Sequence, residues 1–517
     1  MRAVLVVGVL MFTACLPTGV VCVTGTDACG TGCIDPLNDS RNCGGCGQAC
    51  GDNQACNAGA CECQSGTTSC SGECVVLDSD ARHCGACATA CASGEVCELS
   101  SCKAACTIGT NIRCGGSCID TASDPSHCGS CITTCASGQV CRNSLCTYDV
   151  VAACFSTGQV IGLSASTFAK GNLARVGTAP QSLAVMNGTL LSVDGFDRRL
   201  YQAVISTSGL TQGISATAIG AVPTQVIVDG TSAYVVNAGT GTLQVLQAGV
   251  DAGALTLDAG VAAGLVLGTV GELNFGMNTF PEGAAKVGNV VWVPLNGGTG
   301  AAASAGQSVA KVLVSDPANP TEVGRVDLSH LDLHAFDGGA PVARPWSILA
   351  RNGVLYVVLN VLNPTTWVPE GPGVLARIDP ATSVPTEVPL AGANCLNPQW
   401  AQSVGGKLAV SCAGAATYDS SFNVVSVAGA GLVLLDEADQ HLATWSSACP
   451  ADAGAACAAM SPGRFTVSGQ RVLLGDQNTG RVVALDVSDA GLTEVRGVSN
   501  AVTTCPSRNV ADLVTLP

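Results

Sequence analysis

The spacing of the cysteines near the N-terminus constrains this chain more than any other feature. Over residues 22–61, eight cysteines follow the order C-x6-C-x3-C-x9-C-x2-C-x3-C-x5-C-x4-C. The same spacing restarts over residues 63–102, and a third copy with one extra residue covers residues 106–146. A unit of this size buries too little apolar surface to fold alone, so we expect disulfides to stabilise each copy.

The first residues predict export. A positively charged start is followed by an apolar run, and small residues then lead to Cys15. This segment resembles a bacterial lipoprotein signal, so we expect a signal peptide over residues 1–14, acylation of Cys15 and a lipidated linker over residues 15–21. Ordinary signal-peptide cleavage is the alternative. In the first case the protein is a lipoprotein of the outer membrane or cell surface, held by its lipid alone; in the second it is secreted.

Either route takes the cysteines to an oxidising compartment, which favours disulfides. Their pairing stays open, because eight cysteines allow 105 connectivities. The CxxC pairs have two other interpretations, a redox centre and a zinc site. A redox pair needs a helix N-terminus that lowers a thiol pKa, and zinc needs reduced thiols, so both are disfavoured here.

An aspartate recurs four residues before the CGxC of each copy, as Asp39, Asp80 and Asp124. An aspartate in a loop accepts hydrogen bonds from nearby backbone amides, which predicts a structural role. Ligand binding by the same carboxylates is the alternative.

The third copy contains CGGSCIDTASDPSHCGSCITTCASGQVCRNSLC. This pattern resembles the stigma-specific cysteine-rich family of plants and its look-alikes in secreted bacterial proteins. The resemblance covers residues 29–146. It implies extracellular, non-enzymatic modules, and it brings no catalytic residues with it.

From residue 150 onward a second, looser repeat follows. Each unit begins with a proline, and strand-like apolar runs separated by turns come after it. Six units begin at Pro180, Pro223, Pro281, Pro345, Pro398 and Pro462. A period above about 40 residues with short strands predicts propeller blades.

Two fragments predict a seventh blade. Residues 150–177 lack an innermost strand, and Val510 to Leu516 can supply it, which would close the ring. The pattern of short apolar runs separated by turns resembles that of seven-bladed propellers with YVTN-like or NHL-like repeats. The sequence therefore predicts a mainly β fold, with three small disulfide-stapled modules followed by a seven-bladed β-propeller over residues 150–517.

The cysteines outside the modules and outside the signal form three candidate disulfides: Cys154 with Cys505, Cys395 with Cys412, and Cys449 with Cys457. The first would tie the ends of the ring. The second holds the same position in another blade, and the third would staple a loop.

Catalytic motifs are sparse, and one cluster invites metal chemistry. His330, Asp332 and His334 lie close together within residues 326–338. Their spacing matches no known metal motif, so a polar loop between blades is the favoured interpretation and a divalent metal is the alternative. No cofactor is expected.

Two classes of function remain. With a net charge of −16 and 22 Lys and Arg, the chain is not expected to bind nucleic acid. We expect a non-enzymatic binding, adhesion or scaffold protein, in which the modules form a stalk and the propeller recognises a protein or glycan at the cell surface. The alternative is an extracellular propeller enzyme, a lyase or hydrolase acting on a surface polymer. Its signature would be a funnel of convergent His, Arg and carboxylate side chains. A hydrolytic carboxylate pair could form among Asp194, Asp197 and Asp476.

Overall fold

The chain divides into two compact units, residues 1–132 and 133–517, in a computed structural model. The residues described are 27–29, 32–34, 36–37, 39–51, 53–64, 66–107, 111–136, 139–206, 209–249, 255–256, 267–297, 307–331, 342–363, 368–369, 371–390, 392, 394–418, 424–449, 459–498, 501–505 and 509–516. Within these ranges the regular structure is strand, apart from a 3₁₀ turn at Phe155–Thr157. None of the described residues forms a helix of the length and apolarity that a membrane crossing requires.

Each copy of the cysteine repeat forms two short antiparallel hairpins. In the first copy these are β1 (Asp27–Cys29) with β2 (Gly32–Ile34), and β3 (Gln54–Asn57) with β4 (Ala60–Cys63). The second has β5 (Thr68–Cys70) with β6 (Glu73–Val75), and β7 (Val96–Glu98) with β8 (Ser101–Lys103). The third has β9 (Asn111–Cys114) with β10 (Ser117–Asp120), and β11 (Val140–Arg142) with β12 (Leu145–Thr147). Strands this short are held by covalent bonds rather than by a core.

The disulfides of the modules follow one connectivity, in which the first cysteine pairs with the third, the second with the fifth, the fourth with the seventh and the sixth with the eighth. In the second copy the bonds are Cys63–Cys74, Cys70–Cys87, Cys84–Cys97 and Cys91–Cys102. The other copies follow the same order in Cys29–Cys46, Cys43–Cys56, Cys50–Cys61, Cys106–Cys118, Cys114–Cys131 and Cys135–Cys146. Disulfide-rich modules and extensive disulfide bonding are typical of an extracellular or exported protein.

Seven antiparallel sheets of four or five strands each follow one another over the described residues between Val150 and Thr515. Blade 1 contains β16 (Pro180–Met186), β17 (Thr189–Asp194), β18 (Arg199–Ser206), β19 (Gly209–Ala218) and the short β23 (Leu255–Thr256). Blade 2 contains β20 (Pro223–Asp229), β21 (Ser232–Asn237), β22 (Thr242–Ala248) and β24 (Leu267–Asn274). Blade 3 contains β25 (Ala285–Val287), β26 (Val290–Leu295), β27 (Ser308–Leu313) and β28 (Thr321–Asp327).

Blades 4 to 7 have the same layout. Blade 4 contains β29 (Val342–Arg351), β30 (Val354–Leu362), β31 (Val374–Ile378) and β32 (Pro385–Pro389). Blade 5 contains β33 (Pro398–Val404), β34 (Lys407–Cys412), β37 (Gly431–Leu435) and β38 (His441–Ser446), with an inserted hairpin of β35 (Ala415–Tyr418) and β36 (Val424–Ala428). Blade 6 contains β39 (Pro462–Ser468), β40 (Arg471–Asp476), β41 (Arg481–Ser488), β42 (Gly491–Arg496) and the short β43 (Val502–Thr503). Blade 7 contains β13 (Val150–Cys154), β14 (Gln159–Leu163), β15 (Lys170–Arg175) and β44 (Val510–Thr515).

Blade 7 is built from both ends of the propeller sequence. The last strand, β44, pairs antiparallel with β13, so that Val150 lies opposite Thr515. The last strand is therefore the innermost strand of the blade, and its pairing with β13 joins the two ends of the propeller sequence in one sheet. This confirms the predicted seven-bladed ring.

The core of the propeller lies between neighbouring blades. Seven apolar clusters among the described residues each combine side chains of two adjacent blades. Between blades 1 and 2, for example, Leu191 and Val193 pack with Ala233 and Val235. The second strand of a blade is buried on both faces because a neighbour covers each side, which explains its continuous apolar sequence.

Candidate functional site

In most blades, the proline at or near the start of the innermost strand is followed by a β-bulge. In blades 1, 2, 4, 5 and 6 the pairing register shifts directly after this proline. Proline suits a bulge because it has no N–H to donate, and a bulge redirects the unpaired residue that follows. The residues passed over in the pairing are Gln181, Thr224, Trp346, Gln399 and, in blade 6, the pair Gly463 and Arg464.

Five of these unpaired residues line one cavity of about 430 Å³ at the face of the ring where the innermost strands begin, here called the upper face. Blades 3 and 7 contribute Glu282 and Ala511. Aromatic and amide side chains complete the lining, among them Phe155, Phe280, Trp400, Gln477 and Asn509. The repeat that produces the blades therefore also produces the cavity.

Arg464 of blade 6 crosses the centre of the ring. Its guanidinium donates one hydrogen bond of 2.6 Å to the backbone carbonyl of Thr224, which belongs to blade 2. It also lies 4.5 Å from the ring centre of Trp400, a cation–π distance. Because the hydrogen bond to Thr224 joins two blades that are not neighbours, the Arg464 side chain reaches across the ring.

Asp512 on the innermost strand of blade 7 is the counter-ion of Arg464, at 3.1 Å. The same carboxylate accepts a hydrogen bond of 2.8 Å from the backbone amide of Leu183. Burial raises the pKa of Asp512, and Arg464 opposes that rise. This pair is thus satisfied within the protein.

Glu282 has a different environment. It keeps part of its surface open to the cavity, yet the surrounding protein desolvates its carboxyl group and raises its pKa to about 8, against a smaller opposing effect of Arg464. Among the described residues, none hydrogen-bonds that carboxyl group. At neutral pH the group is therefore mostly protonated, able to donate one hydrogen bond and to accept another.

The three aspartates that could have formed a catalytic pair lie in two different blades. Asp194 is fully buried and accepts hydrogen bonds of 2.6 Å from the amides of Thr178 and Ala179. Asp476 holds the same position in blade 6, and its pKa is raised by burial. Asp197 accepts a hydrogen bond of 2.8 Å from Tyr201, whose pKa burial raises to about 12. All three carboxylates thus hold loops and turns in place.

The structure joins two of the candidate cysteine pairs. Cys154 is bonded to Cys505, and Cys395 to Cys412. Cys449 is disulfide-bonded, whereas Cys457 and the lipidation candidate Cys15 lie outside the described residues.

The metal candidate is only partly within the described residues. Asp332 and His334 lie outside them. Nearby Asp327 accepts a hydrogen bond of 2.9 Å from the backbone amide of Ser329, which lowers the pKa of that carboxyl group. His330 follows in the same turn. The described part is a turn stabilised by its own backbone.

The aspartates of the modules make the same contacts in each copy. Asp39, Asp80 and Asp124 each accept a hydrogen bond from the backbone amide two residues on, at 2.7 to 2.9 Å. Each also contacts the side chain three residues on, which is Asn42, His83 or His127. For Asp39, the hydrogen bonds from the side chain of Asn42 and then from the amide of Arg41 lower the pKa. These contacts explain why an aspartate recurs at this position.

Paired half-cystines, a repeated Asp turn and two hairpins per copy form one pattern across the modules. Residues 98–149 match the stigma-specific STIG1-like protein family. No curated protein matches the chain in sequence.

Three of the solved structures that are similar to this chain each cover 71% of it. A protein from Lactobacillus plantarum is 15% identical over 71% of this chain and 99% of its own, with a TM-score of 0.48. A proposed 6-phosphogluconolactonase from Bacteroides fragilis is 12% identical over 71% and 97%, with a TM-score of 0.46. BamB from Moraxella catarrhalis is 11% identical over 71% and 90%, with a TM-score of 0.37. Identities this low assign no activity to this chain.

The cysteine modules form a second cavity. It is an open groove of about 600 Å³ whose lining residues lie within residues 51–117. Its charged groups are already paired, since Arg82 lies 2.7 Å from Glu73 and 3.3 Å from Asp80. Arg82 and Glu73 are both more than half exposed, so this ion pair is weak and the groove holds little to fix a ligand.

The sequence had not singled out any residue of the propeller cavity. A signal was nevertheless present, because in five of the six units the residue directly after the recurring proline is polar or bulky. Prolines that mark bulges as well as strand starts predict that Gln181, Thr224 and Trp346 share one face of the ring.

Proposed function

We propose that this chain is an exported, non-enzymatic binding protein whose ligand site is the cavity on the upper face of the propeller. The observation that carries the proposal is the convergence of bulged side chains from five blades on one cavity. Bulges interrupt strand pairing and are common beside functional sites, where they aim side chains. A mixed aromatic and amide lining is typical of ligand pockets.

In this proposal the cysteine modules act as a stapled spacer and acylation of Cys15 supplies a membrane anchor. The partner is a protein or a glycan at the cell surface. The anchor is tested by growing cells with labelled palmitate, which should label the wild-type chain and leave Cys15→Ser unlabelled. Equal labelling of both would exclude Cys15 as the lipid site.

The binding site is tested by immobilising the full exported chain and passing cell-surface extract over it. We expect the wild-type chain to retain a surface component, Trp346→Ala to lose it, and Met277→Ala to keep it. Met277 is 87% exposed on the loop before blade 3 and does not line the cavity, so it is a matched surface control. Retention of the surface component by Trp346→Ala at the wild-type level would show that the binding site lies outside the cavity.

One observation favours a second candidate, an extracellular lyase or hydrolase. Glu282 is a protonated carboxyl group in the cavity at neutral pH, as a general acid requires. Against it, hydrolysis of a glycosidic bond needs a second available carboxylate, and Asp512 is occupied by Arg464 and the Leu183 amide. Release of new reducing ends from surface polymer by the wild type, and not by Glu282→Gln, would establish the enzyme.

A further inference from the structure

We infer that the cavity on the upper face takes an uncharged saccharide, the end of a glycan chain, rather than an acidic or basic ligand. This inference rests on the proposed binding function and names the chemical class that the same site accepts. Three properties of the lining carry it: its charge, its hydrogen-bonding groups and its aromatic surface.

The charge of the cavity excludes ionic ligands. Arg464 is the only Lys or Arg among the lining residues, and its charge is already used by Asp512 at 3.1 Å and by the Thr224 carbonyl. An acidic sugar or a phosphate would therefore find no free cation. A basic peptide would have only Glu282 to pair with, and burial disfavours the charged form of that group.

The hydrogen-bonding groups of the cavity are those that match hydroxyl groups. The side-chain amides of Gln181 and Gln477 line it, and no described residue hydrogen-bonds either of them. An amide offers both donors and acceptors, as a sugar hydroxyl does, so each can satisfy the other. Gln399 is held by a hydrogen bond of 2.9 Å from its amide nitrogen to the side-chain oxygen of Asn397, which leaves its own oxygen to accept.

The aromatic lining supplies apolar surface for the C–H faces of a sugar ring. Trp346, Phe155 and Phe280 line the cavity, and Phe280 is 38% exposed. Phe155 is braced by Phe196, with ring centres 5.6 Å apart. A volume of about 430 Å³ suits a small ligand or the end of a chain, not a folded protein domain.

The test uses the full exported chain on an array of short immobilised saccharides. The array holds neutral hexoses, pentoses, deoxyhexoses and N-acetylhexosamines, matched uronic-acid and sulfated forms, and a set of acidic and basic peptides. We expect binding to neutral saccharides only, and titration calorimetry with the best of them should show a fall in affinity of about tenfold or more for Trp346→Ala. Met277→Ala should bind as the wild type does.

Gln181→Ala is a second variant, because it removes only a polar group if Trp346→Ala fails to fold. We expect it also to weaken binding of the neutral saccharide, with unchanged circular dichroism. Binding of acidic saccharides or peptides in place of neutral ones, or no neutral saccharide bound at all, overturns the saccharide class. In that case the proposed binding function still holds if Trp346→Ala fails to retain the component that the wild-type chain retains from surface extract. If Trp346→Ala retains that component as the wild type does, the proposed function is also wrong.

Discussion

At the scale of single residues, two ionisable side chains determine how the pocket behaves. Arg464 is fully engaged, since Asp512, the Thr224 carbonyl and the Trp400 ring all contact it. Glu282 is desolvated and has no described hydrogen-bond partner for its carboxyl group. Substitution of Arg464 should therefore affect stability, and substitution of Glu282 should affect the response to pH.

Glu282→Gln should flatten the pH dependence of stability. Folding raises the pKa of Glu282 from 4.5 to about 8, so between these values the folded protein keeps a proton that the unfolded chain releases. The Glu282 contribution to the free energy of unfolding is thus complete below pH 4.5 and is lost as the pH rises through 8. Urea unfolding from pH 4.5 to 8.5 should show a smaller decline for the variant than for the wild type.

The matched control is Glu437→Gln, an exposed glutamate in a turn of blade 5, which should decline as the wild type does. Identical pH profiles for Glu282→Gln and the wild type would contradict the assignment of that proton to Glu282.

Arg464→Met should lower the free energy of unfolding by about 3 kcal/mol, because it leaves Asp512 buried without its counter-ion. The double variant Arg464→Met with Asp512→Asn should recover most of this loss, since no buried charge remains and the Asn oxygen can still accept from the Leu183 amide. Arg325→Met, which breaks a partly exposed pair with Glu322, is the control and should cost less than about 1 kcal/mol. Equal costs in denaturant unfolding for the two arginine variants would refute the role of Arg464.

At the scale of strands, a single position fixes the loop that enters the innermost strand in four of the seven blades. This position lies opposite the recurring proline or its equivalent, at the end of the second strand. Four blades fill it with a residue that ties the loop: Asp194 in blade 1, Asp476 in blade 6, Cys412 in blade 5 and Cys154 in blade 7. Hydrogen bonds to a buried carboxylate and a disulfide thus perform the same task in different blades.

The double variant Cys395→Ser with Cys412→Ser should lose about 3 kcal/mol of stability, as expected for a bond across a sequence separation of 17 residues. The loss should be accompanied by faster amide exchange in the loop before β33, because that loop has lost its covalent tie. Unchanged stability and exchange would show that the backbone contacts of blade 5 hold the loop without the disulfide.

At the scale of the whole propeller, closure of the ring depends on contacts between residues far apart in sequence. The pairing of β44 with β13 and the bond Cys154–Cys505 both join the two ends, and the bonded cysteines are separated by 351 residues. In the chain-entropy account, a bond that closes a longer loop restricts the unfolded chain more. The two disulfides outside the modules should therefore differ in effect.

Cys154→Ser with Cys505→Ser should lower the free energy of unfolding by about 5 kcal/mol, more than the pair in blade 5 does. Denaturant unfolding of the two double variants side by side makes the comparison. A smaller loss of stability for the Cys154 and Cys505 variant would show that the β44–β13 pairing keeps the ring closed without the disulfide.

The sequence predicted the propeller well because its signals are local and repeated. The prolines at Pro180 and Pro223, and their equivalents, mark the blade period, and the complementary end fragments predict the closure through β44. The disulfide connectivity inside the modules could not be predicted, because the spacing of cysteines in sequence does not determine which of them are close in space. The pocket was missed because it depends on where the bulged residues, such as Trp346, converge after the ring has formed.

We propose that this protein recognises its partner through the cavity of the propeller. Amide hydrogen exchange of the full exported chain, with and without the component that it retains from surface extract, tests this directly. We predict slower exchange in the presence of that component at the starts of the innermost strands, around Thr224, Trp346 and Gln399. Slower exchange confined to the cysteine modules, with the upper face unchanged, would contradict it.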